Sequence, residues 1–223
     1  PYSYHKYLDF KSIINKKEII NILCVNRDLM IRTFCLVSHN NLFTMASSRL
    51  GGDILATNAI LFQIMSIFSY AFDGIANTAS VFSGRARGRK NNTLMKNCWK
   101  QTFFWGIIAT ILITIVFVLF NRTIIEIFTK LPNILILTQK YSIWLVLYPS
   151  IAFLGLTFYG VFTGAAKTVP IMTSTVLAFI SFFIAWKFLI PIYGNNGVWL
   201  SLLVFYLGRG IFLIPQLKKT LTN

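Results

Sequence analysis

Residues 54–92 read ILATNAILFQIMSIFSYAFDGIANTASVFSGRARGRKNN. From Ile54 to Phe82 the run is apolar apart from scattered hydroxyls, amides and one carboxylate, Asp73, and it then breaks into Arg85, Arg87, Arg89 and Lys90. Roughly 20 mainly apolar residues cross a hydrocarbon core, so the run predicts a membrane-spanning helix. Its length, on the order of 40 Å at a rise of 1.5 Å per residue, requires it to tilt or to project beyond the bilayer. A charge inside such a helix is costly unless something compensates it, which makes Asp73 a functional candidate by default.

The rest of the chain agrees with a membrane setting. Hydrophobic residues make up 56% of the 223 and charged residues 12%, about half the charged share of an ordinary globular domain. The formal net charge of +15 would on a soluble domain point to nucleic acid. Here the bases lie between apolar runs with no aromatic-interleaved basic motif, so nucleic acid is not an expected partner and the lipid bilayer is.

Further runs of spanning length fall at about 29–48, 99–120, 135–163, 169–190 and 197–215, which with 54–82 predicts six transmembrane helices in an all-α polytopic membrane protein. The first run is the most polar, holding Arg32, His39, Asn40 and Asn41. Residues 1–28 mix bases with Leu, Ile and Tyr and read as a cytoplasmic basic, amphipathic segment. Residues 29–215 read as the bundle and 216–223 as a cytoplasmic tail. The chain opens on Pro1 with no signal peptide before its first apolar run, as expected of a chain that starts inside a longer reading frame or after processing.

Alternate connections differ sharply in Lys and Arg. One set, with the N-terminus, carries fourteen of the 21, among them the GRARGRKNN segment, and the other carries Arg49, Arg122, Lys130 and Lys140. The positive-inside rule places both termini in the cytoplasm of a cell (inner or plasma) membrane. Trp99, Trp144 and Tyr193 lie near span ends, where aromatic belts form. Small residues and prolines recur in the later runs, as expected where backbones pack closely.

On a helical wheel Ser66, Ser69, Tyr70, Asp73, Asn77 and Ser80 share one face of the second span. Such a stripe must look into protein or a wet cavity. The proton affinity of a carboxylate there depends on its burial and on nearby cations, which is the behaviour a proton-coupled carrier needs. A static reading stands beside it, with Asp73 as counter-ion to Arg32 or Arg209. Asn58 and Gln63 of the same helix, and Asn40 and Asn41 of the first, are candidates for cavity contacts or for hydrogen bonds between helices.

Enzymatic chemistry has little to work with. Cys24, Cys35 and Cys98 form no C-x-x-C pair and His5 and His39 no metal spacing, and there is no phosphate loop or nucleophile elbow, so neither a metal nor a cofactor is expected.

Three stretches, NRDLMIRTFCL at 26–36, SSRLGGDILATNAILFQIMSIFSYAFDGIANTASVFSG at 47–84 and FTGAAKTVPI at 162–171, resemble the multidrug and toxic compound extrusion (MATE) transporters of the DinF type. The order Arg-Leu-Gly, Ala-x-Asn-Ala and Tyr-Ala-x-Asp-Gly is what the first two helices of that branch's second half look like. The resemblance implies a twelve-helix carrier of two six-helix lobes, of which this chain is the C-terminal one, with residues 1–28 as the inter-lobe linker and an N-terminal lobe on the same or a separate chain as its partner. It implies exchange of a proton or sodium ion for a small organic substrate, cationic or amphiphilic. The best-known proton-linked aspartate of the DinF type belongs to the other lobe. Asp73, with Tyr70, Asn77 and Ser66 around it, is the candidate coupling residue here, and Asn58, Gln63, Arg32 and Asn41 the further cavity candidates. A flippase for lipid-linked or polysaccharide precursors, a non-transporting accessory subunit and a remnant half-transporter are the alternatives.

Overall fold

The computed structural model describes residues 16–216, and the expectations for residues 1–15 and 217–223 lie outside them. The described residues form helices α1 (Lys16–Arg49), α2 (Gly52–Gly88), α3 (Asn92–Phe128), α4 (Pro132–Tyr141), α5 (Ile143–Gly164), α6 (Val169–Tyr193) and α7 (Asn195–Ile211). Five elements are long and apolar enough to cross a membrane: α2, α3, α5, α6, and α7 with its continuation to Gln216.

The local sequence explains the joints. Gly51, at a φ of 113°, makes the turn from α1 to α2 in a conformation that side chains with a Cβ rarely adopt. Asn91 caps α3 by accepting from the Leu94 amide at 2.8 Å, the usual work of an N-cap amide. Pro132 starts α4, where a missing N–H costs nothing.

Two expectations about the spans change. The expected single span 135–163 is divided at Ser142, whose amide and hydroxyl both turn back to the Gln139 carbonyl, at 3.3 and 2.8 Å. A serine that offers its own backbone a local partner competes with the regular ladder, and an apolar run gives no sign of it. The first run is no separate element either, because α1 is continuous from Lys16 to Arg49. It falls short of the apolar length of a span, yet its polar residues tie it to both ends of the bundle.

α5 and α7 form the centre, with α2 packed along α5 and α6 along α7, while α1 lies mainly against α6. Phe72, Tyr148, Phe182, Trp199 and Phe205 are fully buried there. The α2–α5 seam depends on Gly160 and Gly164, since a Cβ on the first would run into the Ala76 carbonyl and on the second into the Ser80 carbonyl. Small residues four apart on α5 thus let two backbones touch, the usual device where helices associate in lipid. Trp99, expected in an aromatic belt, is instead buried against Phe158 and Phe162.

Candidate functional site

The stripe on α2 sits at the edge of the α2–α5 seam, so its members part company. Tyr70, Asn77 and Gln63 are exposed, as is Asn41 on α1, whereas Ser66, Ser69 and Asp73 are half-buried. Opposite them α5 presents Tyr148, Ala152, Gly155 and Tyr159, a 4-3-4 spacing that lines up one helix face. Tyr159 donates its hydroxyl to Oδ1 of Asp73 at 3.1 Å. The Ser69 hydroxyl lies 3.0 Å from the Met65 carbonyl and shares a hydrogen bond of 2.6 Å with the Tyr148 hydroxyl.

Arg32 does not pair with Asp73 directly. Its guanidinium lies over the Tyr159 ring, 4.8 Å from the centroid, so the tyrosine carries the carboxylate at its edge and the cation on its face. Such stacking attracts a cation more strongly as water is excluded. The Arg32 Nε is buried without a hydrogen-bond partner among the described residues.

Arg209 of α7 enters from the other side. Its side chain is 4% exposed, and its guanidinium lies 5.9 Å from the Phe205 ring centroid and 5.8 Å from that of Tyr206. Gly155 makes room for it, since a Cβ there would stand 3.0 Å from the Cβ of Arg209. The charges of Asp73, Arg32 and Arg209 all act on Tyr159, which makes that ring the centre of the group. His39 completes the wall, stacked on Phe205 at 4.0 Å with Nδ1 2.7 Å from the Leu36 carbonyl.

Asn58, offered above as a cavity residue, has no exposed surface and works as a joint between helices. Its amide donates to Ser47 Oγ at 2.8 Å and to Asn195 Oδ1 at 2.6 Å, and its carbonyl accepts from Asn195 at 3.1 Å and from the Trp199 indole at 2.9 Å. Every polar atom of the amide is used, which leaves nothing to offer a ligand.

Asp28 makes the matching joint at the other end. It is 2% exposed, accepts from Thr168 at 2.9 Å and from Arg27 at 2.9 and 3.2 Å, and so ties α1 to the α5–α6 turn. The hydrogen bond from Arg27 to Asp28 also raises the Arg27 guanidinium above its ordinary range. Arg87 and Lys167 line the same notch, so the connections richest in Lys and Arg gather at one end, called here the basic end.

Sequence reasoning did not single out Tyr159, Tyr148, Tyr206, Asp28 or Thr168. In an apolar run a tyrosine that holds a carboxylate has the same signature as one that faces lipid. The three cysteines are free, Cys24 exposed and the other two buried.

Comparison with known proteins agrees with this architecture. The MatE family model matches residues 29–189. The chain is 31% identical over 202 residues to the DNA damage-inducible protein F of Escherichia coli (strain K12), covering 91% of this chain and 44% of that protein. Its fold matches a crystal structure of MATE in the bent conformation with a TM-score of 0.74 at 16% identity, over 86% of this chain and 44% of that one. The chain therefore spans less than half the length of these relatives. With a family match over most of its length and a run of apolar helices, it is a multi-pass membrane protein and belongs to the MATE family, whose members are transporters and not enzymes.

Proposed function

We propose that the chain acts as the C-terminal lobe of a DinF-type secondary carrier that exports organic, cationic or amphiphilic compounds in exchange for protons or sodium ions. The observation that carries this reading is Asp73. It is the single carboxylate within the apolar runs 29–48, 54–82, 99–120, 135–163, 169–190 and 197–215, half-buried, and held by Tyr159 with two arginines near by. A carboxylate that is reachable yet surrounded by groups sensitive to its charge can bind and release a small cation as its surroundings change.

The share of its relatives' length that the chain spans supports the two-lobe reading. The exposed side of α2, with Tyr70 and Asn77, is the wall that an N-terminal lobe on the same or another polypeptide would face. Exposed bases at the basic end, Arg85, Arg87, Arg89 and Lys90, support a cytoplasmic position for that end in the cell membrane.

The test is transport by the complete two-lobe carrier in proteoliposomes, driven in turn by a proton gradient and a sodium gradient. Asp73→Asn should abolish exchange driven by the coupling ion and leave membrane insertion intact. Unchanged exchange by the variant across pH and sodium concentration would remove Asp73 from the mechanism.

A further inference from the structure

One cavity among the described residues does not include Asp73 in its lining. It is a groove of about 600 Å³ on the outside of α2 and α3. On α2 the small residues Ala71, Gly74 and Thr78 form its trough, and no neighbour comes within 4 Å of where a Cβ on Gly74 would sit. On α3 it is bounded by Asn97, Gln101 and Trp105. Between Phe82, nearest the α2–α3 turn, and Ala71 the groove runs about 16 Å at 1.5 Å per residue, close to half of a hydrocarbon core about 30 Å thick, the depth of one leaflet.

Polarity is graded along it. At the mouth, Arg85 holds its guanidinium 5.8 Å from the ring centroid of Phe82, itself a lining residue. Arg89 follows four residues on, at the same helical face, and Lys90 forms the turn at a φ of 50°. Next come the amides of Asn97 and Gln101, exposed and with no hydrogen bond to any described residue. The far part is hydrocarbon, with Ile75 and Ala71 on one side and Trp105, 54% exposed, on the other. Thr78 and Thr102 add no polarity, because each hydroxyl bonds to its own helix, at 3.0 and 2.8 Å.

Cation, then amide, then hydrocarbon is the order in which a phospholipid presents phosphate, ester carbonyls and acyl chain. We propose that the α2–α3 groove is a binding site for one anionic phospholipid of the bilayer. Its phosphate sits on Arg85 and Arg89, its ester carbonyls accept from Asn97 and Gln101, and one acyl chain lies in the trough as far as Trp105. Basic residues at a membrane surface attract anionic lipid, and a groove that also fits the chain makes that attraction local. The site does not rest on the transport reading, since neither Asp73 nor Tyr159, Arg32 or Arg209 lines it.

Trp105 at the far end provides the readout. The complete carrier is reconstituted into vesicles in which brominated phosphatidylglycerol or brominated phosphatidylcholine, labelled in mid-chain, replaces part of an unlabelled phosphatidylcholine. The quenching assigned to Trp105 is the difference between the protein and its Trp105→Phe variant. Each arginine near the surface is worth about fivefold for an anionic lipid, so the glycerol lipid should be preferred by about tenfold or more. In Arg85→Gln/Arg89→Gln the preference should fall to nearly one, and Gly74→Leu, which fills the trough, should lower quenching by both lipids. Equal quenching by the two lipids in the unaltered protein, or a preference that survives loss of both arginines, overturns the proposal. No quenching of Trp105 by either lipid overturns it too, and shows that protein covers the groove.

Discussion

The hydroxyl of Tyr159 donates to Asp73 at 3.1 Å while the ring of the same residue carries the Arg32 guanidinium at 4.8 Å. A cation and a carboxylate too far apart to pair are therefore linked through one aromatic ring that joins α1, α2 and α5. The two contacts are separable by substitution. Tyr159→Phe keeps the face and loses the hydroxyl, and a hydrogen bond to a charged group contributes about 1.5–3 kcal/mol. Ion-driven exchange should fall about tenfold or more, with protein levels in the membrane unchanged. Tyr159→Leu also loses the stacked cation, a further contribution of about 0.5–2 kcal/mol, and should be slower still. Equal rates in the two variants would mean that the Arg32 contact plays no part.

Asn58 offers a sharper separation of structure from function. Truncation to Ala strands the Asn195 amide and the Trp199 indole N–H, both buried, at a cost of about 1–3 kcal/mol for each orphaned group. Asn58→Ala should lower the thermal midpoint of the detergent-solubilised protein by several degrees. Gln63→Ala and Asn41→Ala, at exposed positions, should change stability by about 0.5 kcal/mol or less. If all three variants melt alike, the amide joint carries no stability.

These residues also show what could be read from the sequence. The membrane class, the long second span and the stripe through Asp73 follow from the spacing of polar residues in apolar runs, and that spacing is local information. Asn58, Gln63 and Asn41 look alike at that level, each an amide in an apolar run. Only the arrival of Ser47 from α1 and of Asn195 and Trp199 from α7 makes Asn58 a joint and leaves the others exposed. The division at Ser142 escaped for a related reason. Its side chain satisfies a carbonyl three residues back, a choice of backbone partner to which hydropathy is blind. Tyr159 was hidden because its chemistry depends on which helix faces α5.

The α2–α5 seam that holds Tyr159 opposite Asp73 makes its own prediction. A methyl group at Gly160 or Gly164 meets a backbone carbonyl of α2 that cannot rotate away. Overpacking of this kind costs about 1–3 kcal/mol. Gly160→Ala and Gly164→Ala should each destabilise the protein in thermal unfolding and weaken exchange by moving α2 away from Tyr159. Gly74→Ala is the control, because nothing stands within 4 Å of the new Cβ and alanine favours the helix by up to about 1 kcal/mol. A melting point for Gly160→Ala equal to that of Gly74→Ala would mean that the two backbones do not touch.

Arg209 reverses the usual relation between stability and function. It is buried with aromatic faces beside it and forms no ion pair or hydrogen bond with any described residue. Aromatic contact recovers only part of what a guanidinium loses on leaving water. An apolar side chain of similar length should therefore pack there at no cost, because it brings no charge that has to leave water. Arg209→Met should melt at the same temperature as the unaltered protein or above it, while ion-driven exchange falls, since the charge acting on Tyr159 and its neighbours is gone. Arg209→Lys, which restores a cation without the planar group, should recover part of the exchange. A variant Arg209→Met that melts well below the parent would show that the guanidinium is held by contacts that stabilise the fold, and its retention would then need no functional reason.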